Sequence, residues 1–387
     1  MIDITNETDP FDVRRARRAP GLLRPFNDIG LLTPADVHVA VRLAGLAADD
    51  DPAVALAAAL AVRAPRLGHV YVDLATVRDT AAVESEEPVD LTALPWPDAA
   101  DWAERVSRSL IVSAGDEAAP RARPLRLVGT SLYLDRYWRE ERQIAADLGV
   151  LGGAGAEGVD LAVLRDGLAR LFGDAEGDRQ RMAAAVAALR RFAVVAGGPG
   201  TGKTTTVARI VALLMEQATG AAPLVALAAP TGKAAARLLE SVHAEAEQMD
   251  VGEGVLASLL ALDAQTLHRL LGWRPGSHSR FRHHRGNRLP HDVVIVDETS
   301  MVSLSLMARL VESVRPDARL ILVGDPGQLT SIEAGAVLGD IVGPATSGLR
   351  MGAAARARLT DATGQEVPAD DPPAGATVAD GIVVLDR

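Results

Sequence analysis

Val194-Val195-Ala196-Gly197-Gly198-Pro199-Gly200-Thr201-Gly202-Lys203-Thr204-Thr205 is the stretch that decides the fold. The apolar residues at 192–196 read as a buried strand, the glycines as a loop, and 203–215 as a helix. Gly197, Gly202, Lys203 and Thr204 match G-x-x-x-x-G-K-[ST], a motif that carries weight only in such a strand–loop–helix context. Glycines let backbone N–H groups converge on phosphate oxygens, and the helix N-terminus adds a favourable dipole. Gly198, Pro199, Gly200, Thr201 and Thr205 complete the expected phosphate cradle. Lys203 is expected on the β- and γ-phosphates of ATP and Thr204 on Mg²⁺. A tight glycine turn is the competing reading; the full motif and its flanks together favour phosphate.

Working outward, a helix at 178–190 precedes the loop and carries Gln180, which suits an adenine contact or an ordinary exposed helix position. Downstream, apolar strands at 224–229, 293–296 and 320–323 each end in polar residues. These are Thr231-Gly232-Lys233, Asp297-Glu298-Thr299-Ser300 and Gly324-Asp325-Pro326-Gly327-Gln328. Strand–helix alternation predicts an α/β fold, a P-loop NTPase with a doubly wound parallel sheet. Ligands bind such a sheet at the carboxyl ends of its strands. Asp297, after four β-branched residues, is the expected metal acid, and Glu298 the expected base for the attacking water. Adjacent carboxylates repel unless a cation neutralises them, although the same residues could simply start a helix. Gln328 is placed to sense the γ-phosphate.

Before this region, 1–118 reads as a mostly helical N-terminal domain, with Thr33 and Pro34 opening a helix over 34–47 and a second at 52–62. Arg14, Arg15, Arg17, Arg18 and Arg24 are a basic cluster there, open to an acidic partner, a phosphate backbone or solvent. The Gly/Pro-rich run at 114–124 reads as a boundary. Residues 119–175 read as a connector with two short strands, a helix to about 148 and a flexible glycine segment at 149–158. Tyr133, Tyr137 and Trp138 within it suit core packing better than base stacking. The P-loop domain spans 176–345, and 346–387 reads as loop closed by an apolar run at 381–385.

Net charge is −11 over 387 residues, so any nucleic-acid contact needs a local basic surface. Residues 273–291 provide one: Arg274, Arg280, Arg282, Arg285 and Arg288 with His278, His283, His284 and His291, interleaved with Trp273 and Phe281. Basic charge with aromatics suits single-strand binding, and a solvated loop competes with that reading. The histidines lack metal spacing and carboxylate or thiol partners, which argues against zinc. Cysteine is absent, excluding disulfides and thiolate chemistry and fitting a cytoplasmic setting. No apolar run reaches membrane-spanning length, so no membrane role is expected.

The combination APTGKAAARL, TLHRLLG, VDETSM and GDPGQL is more specific than the P-loop alone. It resembles the RecD family of superfamily 1 helicases, the alpha subunits of exodeoxyribonuclease V, strongly over 125–342 and loosely before it. No LSGGQ-like segment points to a transporter ATPase. The resemblance implies a 5′-to-3′ ATP-dependent DNA helicase acting in double-strand break repair and recombination, with beta and gamma subunits as partners. It implies Gln180 on adenine, Thr231, Lys233, Thr266 and His268 on single-stranded DNA, and docking of the N-terminal domain on the gamma subunit. It places the nuclease centre on the beta subunit. The resemblance makes 176–345 a RecA-like domain and 346–387 loop and the start of a second RecA-like domain; the family pattern continues beyond 387, so the sequence is expected to be a fragment with little activity alone. The alternative is a non-catalytic fragment that binds nucleotide or a partner.

Overall fold

The computed structural model describes residues 15–17, 19–83, 90–117, 121–173, 178–274, 276, 280–328, 334–335, 337–343, 349–373, 376 and 378–385. Arg14, Arg18 and His278 of the basic clusters lie outside the described residues. The chain divides into two compact units, Met1–Glu140 with Ile332–Gly335, and Glu141–Ser331 with Ala336–Arg387.

The first unit holds α1 (Leu23–Asp28), α2 (Pro34–Ala47), α3 (Pro52–Arg63), β1 (Tyr71–Asp73), α4 (Val77–Thr80), α5 (Ala99–Ser107), β2 (Val112–Ala114), β3 (Leu125–Val128) and β4 (Ser131–Leu134). Helix α2 starts as its sequence predicts: the Thr33 side chain accepts from Asp36 N–H, and the Asp36 carboxylate accepts from Thr33 N–H at 2.8 Å. Asp51 caps α3 in a similar way, accepting from Ala53 N–H at 2.8 Å. Helix α3 is almost all Ala and Leu because it is buried, with Leu56, Leu60, Phe26 and Trp102 in the same core.

The unit is mostly helical, as expected, and also carries a four-stranded sheet, β1-β4-β3-β2, with β2 and β3 parallel. One expectation changes here. The Gly/Pro-rich run is not a domain boundary, because Val112 pairs with Leu125 across it. The division falls at Glu140, inside α6 (Asp135–Gly152). Tyr133 packs against Tyr71 with ring centroids 5.1 Å apart, and the Arg126 guanidinium lies 4.1 Å from the Trp138 ring. These aromatics are packing groups.

The second unit continues with α7 (Leu161–Phe172), α8 (Arg179–Leu189), β5 (Phe192–Gly197), α9 (Lys203–Glu216), β6 (Val225–Ala229), α10 (Gly232–Ala246), α11 (Glu253–Leu260), β7 (Ala264–Thr266) and α12 (Leu267–Leu270). Then follow β8 (Val293–Val296), α13 (Leu304–Ser313), β9 (Arg319–Gly324), α14 (Val337–Val342), α15 (Ala353–Thr363) and β10 (Ile382–Leu385). The sheet order is β10-β5-β9-β8-β6-β7, and every pairing is parallel. This is the expected RecA-like α/β architecture. Strands β5 and β8 are buried along their whole length, which is why they read as unbroken apolar runs. Because β5, β9 and β8 are neighbours, their carboxyl ends bring the P-loop, Asp325 and Asp297 to one edge.

The C-terminal expectation is corrected as well. Among the described residues of 353–385, none starts another sheet. Leu359 and Ala362 of α15 are buried in the core of this unit, and β10 pairs with β5 from Ile382↔Val194 to Leu385↔Gly197. An apolar strand of this kind satisfies its backbone and buries its side chains beside β5. The glycine segment at 149–158 is docked rather than free: Ala156 N–H donates to Leu189 O at 2.9 Å.

Candidate functional site

Gly200 and Gly202 have φ of 77° and 78°, left-handed values that glycine adopts without strain. Gly197 is required for space: a Cβ there would lie 2.6 Å from Thr201 Oγ1 and 3.1 Å from Leu385 Cβ. Lys203 is the first residue of α9, and its ammonium donates to Gly197 O at 2.7 Å and Gly198 O at 2.8 Å. Thr201 Oγ1 donates to Gly198 O at 2.9 Å, so the loop is internally braced. Pro199 and Gly200 are exposed at its tip, and Thr204 and Thr205 are half-buried in the first turn of α9. Gln180 sits in the first turn of α8, and its Nε2 donates to Thr201 O at 3.0 Å. The structure therefore brings Gln180 against the loop.

At the end of β8, Asp297 is 8% exposed, and its Oδ1 accepts from Glu298 N–H at 2.8 Å. Burial, reinforced by the Glu298 charge, pushes the Asp297 carboxyl up to about 6, against the pull of the Glu298 N–H and Lys203. Glu298 has φ 51° and ψ 40°, a left-handed conformation in a non-glycine residue. Buried Thr299 holds the turn, its Oγ1 donating to Val296 O at 2.9 Å. Gly324, at the end of neighbouring β9, permits the approach: a Cβ there would lie 3.1 Å from Thr299 N and 3.2 Å from Ser300 N. Asp325 Oδ1 accepts from Gly327 N–H at 3.0 Å, shaping the loop that presents exposed Gln328.

Thr204, Asp297, Glu298 and Gln328 line one open cleft of about 590 Å³, together with Thr231 and Lys233. Thr231 caps α10 by accepting from Ala234 N–H. Thr266 caps α12 in the same way and lies in register with Ala229, so both segments leave adjacent strand ends. His268 is exposed, its ring centroid 5.9 Å from that of Phe281. Three features were not anticipated. Arg237 and Met301 also line the cleft, the former one helical turn beyond Lys233, and the left-handed turn at Glu298 has no local sequence signal.

In the basic segment, Trp273 bridges Phe281 and His284 bridges Asn287, forming a hairpin. Arg280 and Arg282 are exposed on it. Arg285 pairs with Asp147 of α6 at 2.6 Å, and Arg288 donates to the Val314 carbonyl, so these two anchor its base. Among the described residues no group of three or more His, Asp and Glu is placed to hold a metal ion. No described helix is long and apolar enough to cross a membrane.

Comparison with known proteins follows this geometry. Residues 28–133 match a family model described as RecBCD enzyme subunit RecD, N-terminal domain, and residues 180–334 match one described as AAA domain. Over 324 residues the chain is 54% identical to RecBCD enzyme subunit RecD of Mycolicibacterium smegmatis, covering 83% of this chain and 54% of that protein. It is 52% identical over 335 residues to RecBCD enzyme subunit RecD of Mycobacterium tuberculosis, covering 86% and 54%. It is 41% identical over 145 residues to the ATP-dependent RecD2 DNA helicase of Deinococcus radiodurans, covering 38% and 17%. The chain thus spans about half the length of the curated RecD relatives it matches. Two matched regions in tandem, and identity maintained through both, mean that the chain belongs to the RecD family.

Proposed function

We propose that this chain is the ATP-hydrolysing portion of a 5′-to-3′ DNA helicase subunit in an exodeoxyribonuclease V complex. On this reading it acts with beta and gamma subunits on DNA ends in the cytoplasm, in double-strand break repair and recombination. One observation carries the reading: Thr204, Asp297, Glu298 and Gln328 share a cleft with Thr231 and Lys233, so phosphate-binding and strand-facing residues meet in one space. The similarity to a RecBCD enzyme subunit and to an ATP-dependent DNA helicase supports ATP-driven helicase activity within such a complex.

The residues fit a nucleotide with Mg²⁺. Asp297 is a desolvated carboxylate beside a second acid, a pair that a divalent cation would neutralise, and the Thr204 hydroxyl lines the same cleft. Thr204 and Asp297 would hold the ion, which when bound neutralises charge on the β- and γ-phosphate oxygens. Lys203, already braced under the loop, exchanges its carbonyl contacts for phosphate, and the N–H groups of residues 200–205 surround the oxygens. Glu298 orients a water and takes its proton as that oxygen attacks the γ-phosphorus. Gln328 contacts the γ-phosphate and registers its loss. Gln180 contacts the adenine. Thr231, Lys233, Thr266 and His268 face the single strand. The N-terminal unit, which matches the RecD N-terminal model, docks on the gamma subunit.

Calorimetry with Mg-ATP tests the first step: the chain binds, and Lys203→Ala removes most of the binding. Equal affinity of wild type and variant would sink the nucleotide reading. In complex with beta and gamma subunits, strand displacement is expected on a duplex with a 5′ tail, and its restriction to 3′ tails would overturn the polarity. Intact binding with no turnover in that complex would return the chain to a non-catalytic role.

A further inference from the structure

Gln180 reaches the P-loop from the first turn of α8, and four side-chain hydrogen bonds fix that turn. The Asp178 carboxylate accepts from Gln180 N–H at 2.9 Å and from Arg181 N–H at 3.2 Å. The Arg181 guanidinium, only 5% exposed, donates to Gly173 O at 2.7 Å and to Thr363 O at 2.9 Å. Thr363 is the last residue of α15, and Gly364 (φ 69°) ends that helix. A buried planar fork bonded to carbonyls of two separate segments is a clamp, because its donors cannot move independently. The same C-terminal region reaches the other flank of the loop through Leu385, whose Cβ would be 3.1 Å from a Cβ on Gly197.

We propose that Arg181 is a positioning residue for base recognition: by tying the first turn of α8 to the α15 carboxyl end, it holds the Gln180 amide where it reads the purine edge. This rests on the reading of Gln180 as the base contact. Adenine offers a donor at N6 and an acceptor at N7, whereas guanine offers two acceptors at N7 and O6. A glutamine amide has both a donor and an acceptor, so it pairs fully with adenine and only partly with guanine. That preference holds only while the backbone carrying the amide stays in place. Freed from the Thr363 carbonyl, the turn carrying Gln180 shifts, and the adenine preference weakens without touching the phosphates.

The test measures dissociation constants of the full 387-residue chain for ATP, GTP and inorganic pyrophosphate, comparing wild type with Gln180→Ala, Arg181→Met and Arg181→Lys. For Arg181→Met, the preference for ATP over GTP falls by about three- to tenfold while pyrophosphate affinity stays within about twofold. Arg181→Lys, which keeps the charge and one of the bonds, falls between. If Gln180→Ala lowers the preference and Arg181→Met leaves it at the wild-type value, the clamp is overturned and the base contact stands. If Gln180→Ala changes nothing, the base contact falls and the clamp with it. Should Arg181→Met not fold, Gly364→Ala displaces the Thr363 carbonyl from outside α8, because φ 69° strains any side chain there. An unchanged preference in that variant overturns the proposal as well.

Discussion

Glu298 combines two demands that oppose each other. Its left-handed backbone costs about 1–2 kcal/mol in a residue with a Cβ, and glycine would relieve most of that cost. Yet the proposed mechanism asks for a carboxylate at that point of the cleft, to accept the proton of the attacking water. The expected outcome is a split. Glu298→Gly raises the melting temperature of the isolated chain, and Glu298→Gln leaves it nearly unchanged. In the assembled complex both keep Mg-ATP binding and lose about 10²- to 10⁴-fold in turnover. Thermal melts beside steady-state hydrolysis read both halves. Hydrolysis at the wild-type rate by Glu298→Gln would exclude this residue as the base. Asp297 was legible because β-branched residues lead directly into it. The strained turn one residue later was not, because glutamate has no preference for a left-handed conformation, and only the approach of Gly324 from the neighbouring strand makes the turn fit.

At the scale of elements, the Arg-rich hairpin separates into parts with different tasks. Arg285 and Arg288 hold its base, through Asp147 and the Val314 carbonyl, and Arg280 and Arg282 face solvent. If the hairpin tracks a single strand, Arg280→Ala and Arg282→Ala each lower the slope of log affinity against log salt by about 0.7, and Arg285→Ala changes it less. Titrations of labelled oligonucleotide at several salt concentrations measure this. Slopes unchanged from wild type in all three variants would return the segment to a solvated loop. Elements defined by local signals were readable in advance: the P-loop strand and helix, the Thr33 cap of α2, and the paired strands after Pro124. The sheet of the first unit was obscured because β1 and β2 are three residues each, too short for alternation to register. The place of β10 was obscured for a different reason. A parallel partner lies far away in sequence, and nothing in Ile382-Val383-Val384-Leu385 names β5.

Over the whole molecule, acidity should influence the two units unequally. Burial, then the neighbouring Asp340, pushes the Glu141 carboxyl from 4.5 up to about 7, and burial also raises Asp340 itself. Both belong to the P-loop unit. A carboxyl raised in the folded state holds a proton that the unfolded chain has released. Its contribution is therefore complete below about pH 4.5 and is lost as pH climbs through 7. The P-loop unit is expected to melt at a lower temperature at pH 8 than at pH 5.5, and Glu141→Gln should shrink the difference. Identical pH dependence in wild type and variant would remove Glu141 from that account.

The pairing of β10 with β5 also sets the order in which the protein can come into being. A chain leaves the ribosome from its N-terminus, and β10 is the last of the described strands to emerge, although its partner passed out nearly two hundred residues earlier. Until then the first glycine of the nucleotide loop lacks Leu385 against it, and one side of β5 stands open to any extended neighbour. Pairing at such separation is slow, because a long loop must close before the contact is rewarded. Newly made chains should therefore acquire nucleotide affinity later than they acquire helix. During that interval the exposed edge of β5 is where a chaperone, or a misfolding partner, would take hold.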